Sequence, residues 1–156
     1  MPDDTQEPSR AAAPGAFFDL FNEIGIIQQL SRSFFEERLP TGMLLPHFSV
    51  LNHLTRVSDG RTPVQIARAF QVPKNTMTHT LAGLEAHGLI ELRPNPKDKR
   101  SKTVWLTDAG RAFRDEAQAK VTHDLMPILP PVEAAALARV LGLLREVRET
   151  LDRARD

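Results

Sequence analysis

The chain has 156 residues, 41% of them hydrophobic, which is enough to bury the core of one domain. It holds no cysteine, so disulfides, thiolate metal sites and cysteine redox sensing are excluded, and no run of about 18 apolar residues exists to span a bilayer. The formal net charge of zero hides an uneven distribution: residues 61–111 carry nine Lys and Arg against four Asp and Glu, and the remainder is acidic to the same extent. A basic middle between acidic ends fits a nucleic-acid-reading lobe held on a scaffold whose negative surface discourages indiscriminate binding. The first ten residues hold three acids, one Arg and no apolar stretch, so neither secretion nor membrane insertion is expected and the cytoplasm is the natural location.

Met1 to Pro14 are rich in Pro, Ala, Asp and Ser without apolar periodicity, and we expect a loose N-terminal tail there. A helix is expected from near Gly15. Phe17, Leu20, Phe21, Ile24, Ile27, Leu30 and Phe34 recur at three- and four-residue steps, and Phe18, Ile26 and Phe35 widen the stripe beyond what one neighbour covers. Pro40, Gly42 and Pro46 break the chain, and a second helix is expected from about His47 to Val57, with Phe48, Leu51 and Leu54 inward.

After the Ser58-Asp59-Gly60 turn, Thr62-Pro63 places a capping hydroxyl before a proline at the first helical position, which predicts a short helix from Pro63 to Phe70. Gln71-Val72-Pro73 makes a tight connection to a helix of about Pro73 to His87, with Met77, Leu81 and Leu84 buried and Gly88 ending it. Two helices joined by so short a turn form a helix-turn-helix. Leu89 to Leu92 and Thr103 to Leu106 are strand candidates, and Arg93 to Lys102 between them reads as the polar loop of a hairpin, a wing. Thr107 to Gly110 caps a helix from about Asp108 to Asp124, which Pro127, Pro130 and Pro131 interrupt. A last helix, Val132 to about Ala154, carries Leu137, Val140, Leu141, Leu144, Val147 and Leu151, a narrow near-heptad seam of the kind that packs on another helix. The fold class is therefore mainly α with a small β-hairpin wing: a winged helix-turn-helix lobe over residues 46–107, with long helices over 15–45 and 108–156.

Lys74, Asn75, Thr76, Thr78 and His79 fall in the first turns of the second helix of the pair, opposite Met77 and Leu81. They would face a major groove, the hydroxyls and amide suiting base edges and thymine methyls and Lys74 a phosphate. Equally simply, Asn75 and Thr76 cap and solvate a helix start. Arg100 at the hairpin tip is the guanidinium best placed to enter a narrow minor groove, and Lys97, Lys99 and Lys102 add phosphate contacts without sequence information. Asp98 cannot point at phosphates without repelling them. Its expected task is to hold Arg100 or the hairpin by a charge-assisted hydrogen bond, the alternative being that it only forms the turn while Arg100 is a solvated surface charge. Trp105 reads as a core aromatic. The five histidines, at 47, 53, 79, 87 and 123, have no metal-ligand spacing; His47 and His53 are six apart, on different faces of a helix.

From about Gly15 to Ala154 the sequence resembles the MarR family of winged-helix regulators. The resemblance is carried by the run from Lys74 to Ile90, the wing triplet Asp98-Lys99-Arg100, and Leu106-Thr107-Asp108-Ala109-Gly110 after it. It implies a homodimer whose N- and C-terminal helices interlock, leaving two winged-helix lobes to read a pseudo-palindromic duplex site. It also implies repression relieved by a small, often aromatic or anionic, effector, with a cleft between the first helix, the second helix and the DNA lobe that includes His47. Where many members carry Arg after the recognition-helix Thr, this chain has His79, neutral near pH 7 and a weaker phosphate partner.

The expected function is a cytoplasmic, ligand-responsive DNA-binding repressor that needs no cofactor. A winged-helix protein-interaction module without DNA binding is the alternative, and it would favour a wing stripped of Arg, unlike Lys97, Lys99 and Arg100. An enzyme is not expected, since no nucleophile, metal set or phosphate loop stands at recognisable spacing.

Overall fold

The computed structural model describes residues 14–154. The tail expected over Met1 to Pro14 lies outside the described residues except for Pro14, the first residue of α1. The elements follow the order α1 (Pro14–Glu36), α2 (Leu45–Arg56), α3 (Pro63–Phe70), α4 (Lys74–Ala86), β1 (Ile90–Pro94), β2 (Lys102–Leu106), α5 (Asp108–Leu125) and α6 (Ala134–Arg153). This mainly helical chain with one two-stranded hairpin matches the expected fold class. Two compact units divide after Val121.

In the first unit, α2, α3 and α4 enclose a core of Val50, Leu51, Leu54, Ile66, Leu81 and Leu84, which Met77, Ile90, Val104 and Leu106 complete. Helix α3 begins where side chains can take up orphan N–H groups. Thr62 Oγ1 accepts from the Gln65 N–H at 3.3 Å and Gln65 Oε1 accepts from the Thr62 N–H at 2.9 Å, a complete capping box ahead of Pro63. The α3–α4 turn is tight because Gln71 takes a left-handed backbone, φ +52°, and its N–H and that of Val72 return to the end of α3. Gly88, φ +68°, does the same after α4.

Helix α2 starts two residues before the expected position and includes Pro46. Proline is tolerated in a first turn, where its missing N–H has no intrahelical partner anyway, and the cap comes from further inside. His47 Nδ1 accepts the Leu44 N–H at 3.0 Å, the part usually played by Glu or Gln. Glu36, at the end of α1, accepts the Leu45 N–H at 3.1 Å, and Phe35 packs on Phe48 with ring centroids 4.7 Å apart.

The strands run antiparallel from Ile90↔Leu106 to Pro94↔Lys102, leaving a seven-residue tip, 95–101, so that Lys102 belongs to a strand and not to the loop. An isolated bridge joins Arg61 to Val104 on the far side of β2. Thr107 then fastens α5 to the end of α4. Its hydroxyl donates to the Gly88 carbonyl at 2.7 Å and accepts the Gly110 N–H at 2.9 Å, while its own N–H donates to the Leu89 carbonyl at 3.2 Å. Gly110 is buried so closely that a Cβ would lie 2.0 Å from the Leu89 oxygen.

Most of the expected apolar stripe of α1 is exposed: Phe17, Phe18, Phe21, Ile24, Ile26, Ile27 and Leu30 all retain over a third of their surface. In the second unit α6 has no buried residue, and Leu137, Val140, Leu141 and Leu151 of its seam are exposed. No described helix is long and apolar enough to cross a membrane.

Candidate nucleic-acid interface

Helix α4 buries Met77, Thr80, Leu81 and Leu84 and turns Lys74, Asn75, Thr76, Thr78 and His79 outward. The division follows from helical spacing, since 77, 81 and 84 recur at three- and four-residue steps while 75, 76, 78 and 79 fall off that stripe. Two of the hydroxyls are already engaged along the helix: Thr78 donates to the Lys74 carbonyl at 2.9 Å and Thr80 to that of Thr76 at 3.1 Å. Thr78 therefore offers a methyl group and acceptor lone pairs outward, a set suited to apolar contact and to base amino groups.

The hairpin stands beside that face. Between the start of α3, the start of α4 and the wing lies a groove of about 530 Å³, lined by Thr62, Pro63, Val64, Lys74, Thr78, Leu92, Asn95, Asp98, Arg100, Ser101 and Lys102. Three of these residues are cations and one is an acid, so the groove favours an anionic occupant or an anionic surface laid across it. Five of the ten residues singled out from the sequence as DNA-facing meet there: Lys74, Thr78, Asp98, Arg100 and Lys102. Asn75, Thr76, His79, Lys97 and Lys99 are exposed outside its lining.

Asp98 engages the backbone of the hairpin tip. Its Oδ1 accepts the Arg100 N–H at 3.0 Å and its carbonyl accepts the Ser101 N–H at 3.0 Å, so the carboxylate builds the turn that carries Arg100. The Arg100 guanidinium has no ion-pair partner among the described residues and is exposed. The other arginine of the hairpin is occupied: Arg93 pairs with Glu91 and stacks over Trp105, 4.6 Å from guanidinium carbon to ring centroid. Trp105 is accordingly half-buried on the hairpin's outer face, where sequence reading expected a core position. Its indole N–H donates to Thr103 Oγ1 at 2.8 Å and its ring lies over Gly60, where a Cβ would come within 3.1 Å. Strand alternation explains this, because Val104 and Leu106 occupy the inward positions of β2.

His47 lies half-buried where the entry to α2 meets α4, its Nε2 so close to Gly83 that a Cβ there would be 2.7 Å away. Its pKa is lowered, first by burial and then by the neighbouring His87 and, more weakly, His79. His53 is lowered by burial and by Arg56 and Arg61, and meets Phe70 edge-on at 5.3 Å. Among the described residues no group of three His, Cys, Asp or Glu could hold a metal ion.

Sequence reading missed the contribution of Thr62, Pro63 and Val64 to the groove, and of Asn95 and Ser101 to the wing tip. The signal for the latter was present as an Asn and a Ser six residues apart across a hairpin loop, both residue types that bind backbone in turns.

A family model described as the MarR family matches residues 41–101, the span that holds α2, α3, α4 and most of the hairpin. Solved structures show the same architecture. The transcriptional regulator BldR from Sulfolobus solfataricus superimposes with a TM-score of 0.71 at 27% identity, covering 92% of this chain and 99% of that one. A mutant MarR from E. coli complexed with operator DNA does so with a TM-score of 0.64 at 25% identity, over 88% and 99%. The PcaV transcriptional regulator from Streptomyces coelicolor, in complex with its natural ligand, shares the fold with a TM-score of 0.66 at 21% identity, over 89% and 97%.

Proposed function

We propose that the protein, whose residues 41–101 match the MarR-family model, is a homodimeric regulator that binds a pseudo-palindromic duplex and represses transcription. The observation that carries this reading is the pairing of two outward-facing elements across one cationic groove: the polar face of α4, and a wing whose Arg100 is exposed and held forward by Asp98. In the proposed complex Asn75, Thr76, Thr78 and His79 face base edges. Arg100 enters the adjoining minor groove, and Lys74, Lys97, Lys99 and Lys102 meet phosphates. The operator-bound E. coli structure with the same fold supports this reading.

Dimerisation is assigned to residues 15–45 and 108–156, flanking the DNA-reading lobe over 46–107. The apolar residues left exposed on α1 and on α6 support it, since seven large apolar side chains on α1 alone exceed what a monomeric surface commonly leaves open. Release by a small aromatic or anionic effector is assigned to the junction around His47, because anything that displaces its ring from Gly83 acts directly on α4. The location proposed for such a regulator is the cytoplasm.

The test is selection of duplexes from a random pool by the purified protein, followed by salt-titrated binding of the enriched sequence. An enriched inverted repeat, with affinity falling steeply as salt rises, supports the reading. Enrichment of no sequence, together with no binding at low salt, overturns it in favour of a protein-interaction module.

A further inference from the structure

Asn95 and Ser101 face each other at the two ends of the wing tip, and Asn95 makes four hydrogen bonds there. Its N–H donates to the Ser101 carbonyl at 3.2 Å and its carbonyl accepts the Asp98 N–H at 3.3 Å. Its side-chain Nδ2 donates to Ser101 Oγ at 2.8 Å, and Oδ1 accepts the Lys97 N–H at 3.0 Å. Ser101 Oγ in turn donates to the Asp98 carbonyl at 3.2 Å, closing a circuit through the residue that holds the Arg100 N–H. Asn95 is half-buried at the groove wall, while Lys97, Asp98, Lys99 and Arg100 are exposed.

We propose that Asn95 is the positioning residue of the wing, clasping both ends of the tip so that Arg100 is presented to DNA in one direction. The proposal rests on the DNA-binding reading above. Its physical basis is preorganisation. A seven-residue loop left open samples many conformations, and the entropy of fixing it is subtracted from binding, whereas a clasped loop has lost that entropy on folding. Asp98 alone spans only the turn from 98 to 101; the Asn95 side chain ties that turn to the base of the hairpin. Pro96 beside it restricts its own φ and narrows the backbone of Asn95, which shortens the set of open loops further.

The experiment measures affinity by fluorescence anisotropy on the duplex that the wild-type protein enriches, with thermal melting of each variant alongside. Asn95→Ala is expected to melt as wild type, since its bonds lie within the tip, and to bind about tenfold more weakly, the loss expected of two side-chain hydrogen bonds. Its salt slope should stay at the wild-type value, because no phosphate contact is removed. Ser101→Ala should reproduce that loss without adding to it, and Ser101→Thr, which keeps the hydroxyl, should bind as wild type. In an Arg100→Ala background, the penalty of Asn95→Ala should shrink to what the ordering of Lys97 and Lys99 contributes. Wild-type affinity of Asn95→Ala, or a penalty undiminished in the Arg100→Ala background, overturns the positioning role while leaving the DNA-binding reading intact. A wild-type protein that binds no duplex overturns both.

Discussion

The imidazole of His47 caps its own helix through Nδ1 while its Nε2 edge rests on Gly83 of α4, so one ring closes α2 and gauges its distance from that helix. The contact exists only because position 83 lacks a Cβ. Gly83→Ala places a methyl 2.7 Å from Nε2 and must push the ring away, removing the cap. Loss of a cap costs about 1 kcal/mol, against a gain of similar size from replacing a mid-helix glycine by alanine. With the packing displacement added, Gly83→Ala should destabilise the protein in the wild-type background. In a His47→Ala background, where no ring stands in the way, the same substitution should stabilise it by up to about 1 kcal/mol. Urea unfolding of the four proteins checks the reversal of sign.

Acid should weaken the fold through the same residue. Leu44 donates to Nδ1, so the ring is held neutral, and protonation turns that acceptor into a donor. His47 and His53 both have folded pKa values below the ordinary 6.5, so the unfolded chain binds protons first as pH falls. Stability is then flat above the ordinary histidine value, declines as pH drops below it, and levels off once the lowered folded values are passed. Unfolding midpoints in urea at pH 7.5 and 5.5 should differ, with less difference in His47→Gln, whose side-chain oxygen caps without titrating.

The start of α5 depends on Thr107 and Gly110 together. Gly110→Ala would set a Cβ against a backbone oxygen that has no side-chain freedom to yield, and a cost at or above the upper end of the about 1–3 kcal/mol seen for overpacked sites is expected. Thr107→Ala loses both the cap and the bond to Gly88, for about 1–2 kcal/mol. Thermal unfolding would rank the two, with Gly110→Ala the more damaging.

The two arginines of the hairpin should separate in DNA binding. Arg100→Ala is expected to lower affinity tenfold or more and to reduce the salt slope by about one unit if the guanidinium meets a phosphate. Arg93→Ala should leave affinity within about twofold, since that guanidinium is already paired with Glu91 and stacked on Trp105. Equal losses from the two substitutions would show that the basic wing acts by charge alone.

Assembly is open to a direct test on α1. Ile27 and Leu30 are exposed at 60% and 71%, on a helix whose stripe a second copy is proposed to cover. Ile27→Glu with Leu30→Glu should yield a monomer in sedimentation while barely altering the lobe, whose core lies in α2, α3, α4 and the hairpin. Sedimentation as a dimer after both substitutions would exclude this helix from the interface.

Sequence alone determined the order and kind of the elements, because the information is local. Thr62-Pro63 and Thr107 to Gly110 announce helix starts by capping chemistry, Gly88 announces an end, and three- and four-residue spacing divides α4 into a buried Met77, Leu81 and Leu84 and an outward Thr76, Thr78 and His79. The basic wing was legible for the same reason. The tertiary structure decided what depends on contacts between distant positions. Helix α2 begins at Leu45, ahead of where Pro46 allowed it to be read, because His47 reaches back to Leu44 and Glu36 reaches across from α1. Trp105 faces outward over Gly60 with Arg93 upon it, although its apolar bulk reads as core. Gly83 and Gly110 differ in sequence from any other glycine only by what lies against them, a ring 36 positions earlier and a carbonyl 21 positions earlier. Periodicity carries no record of such partners, since it reports which face of an element is buried and not what is packed on it.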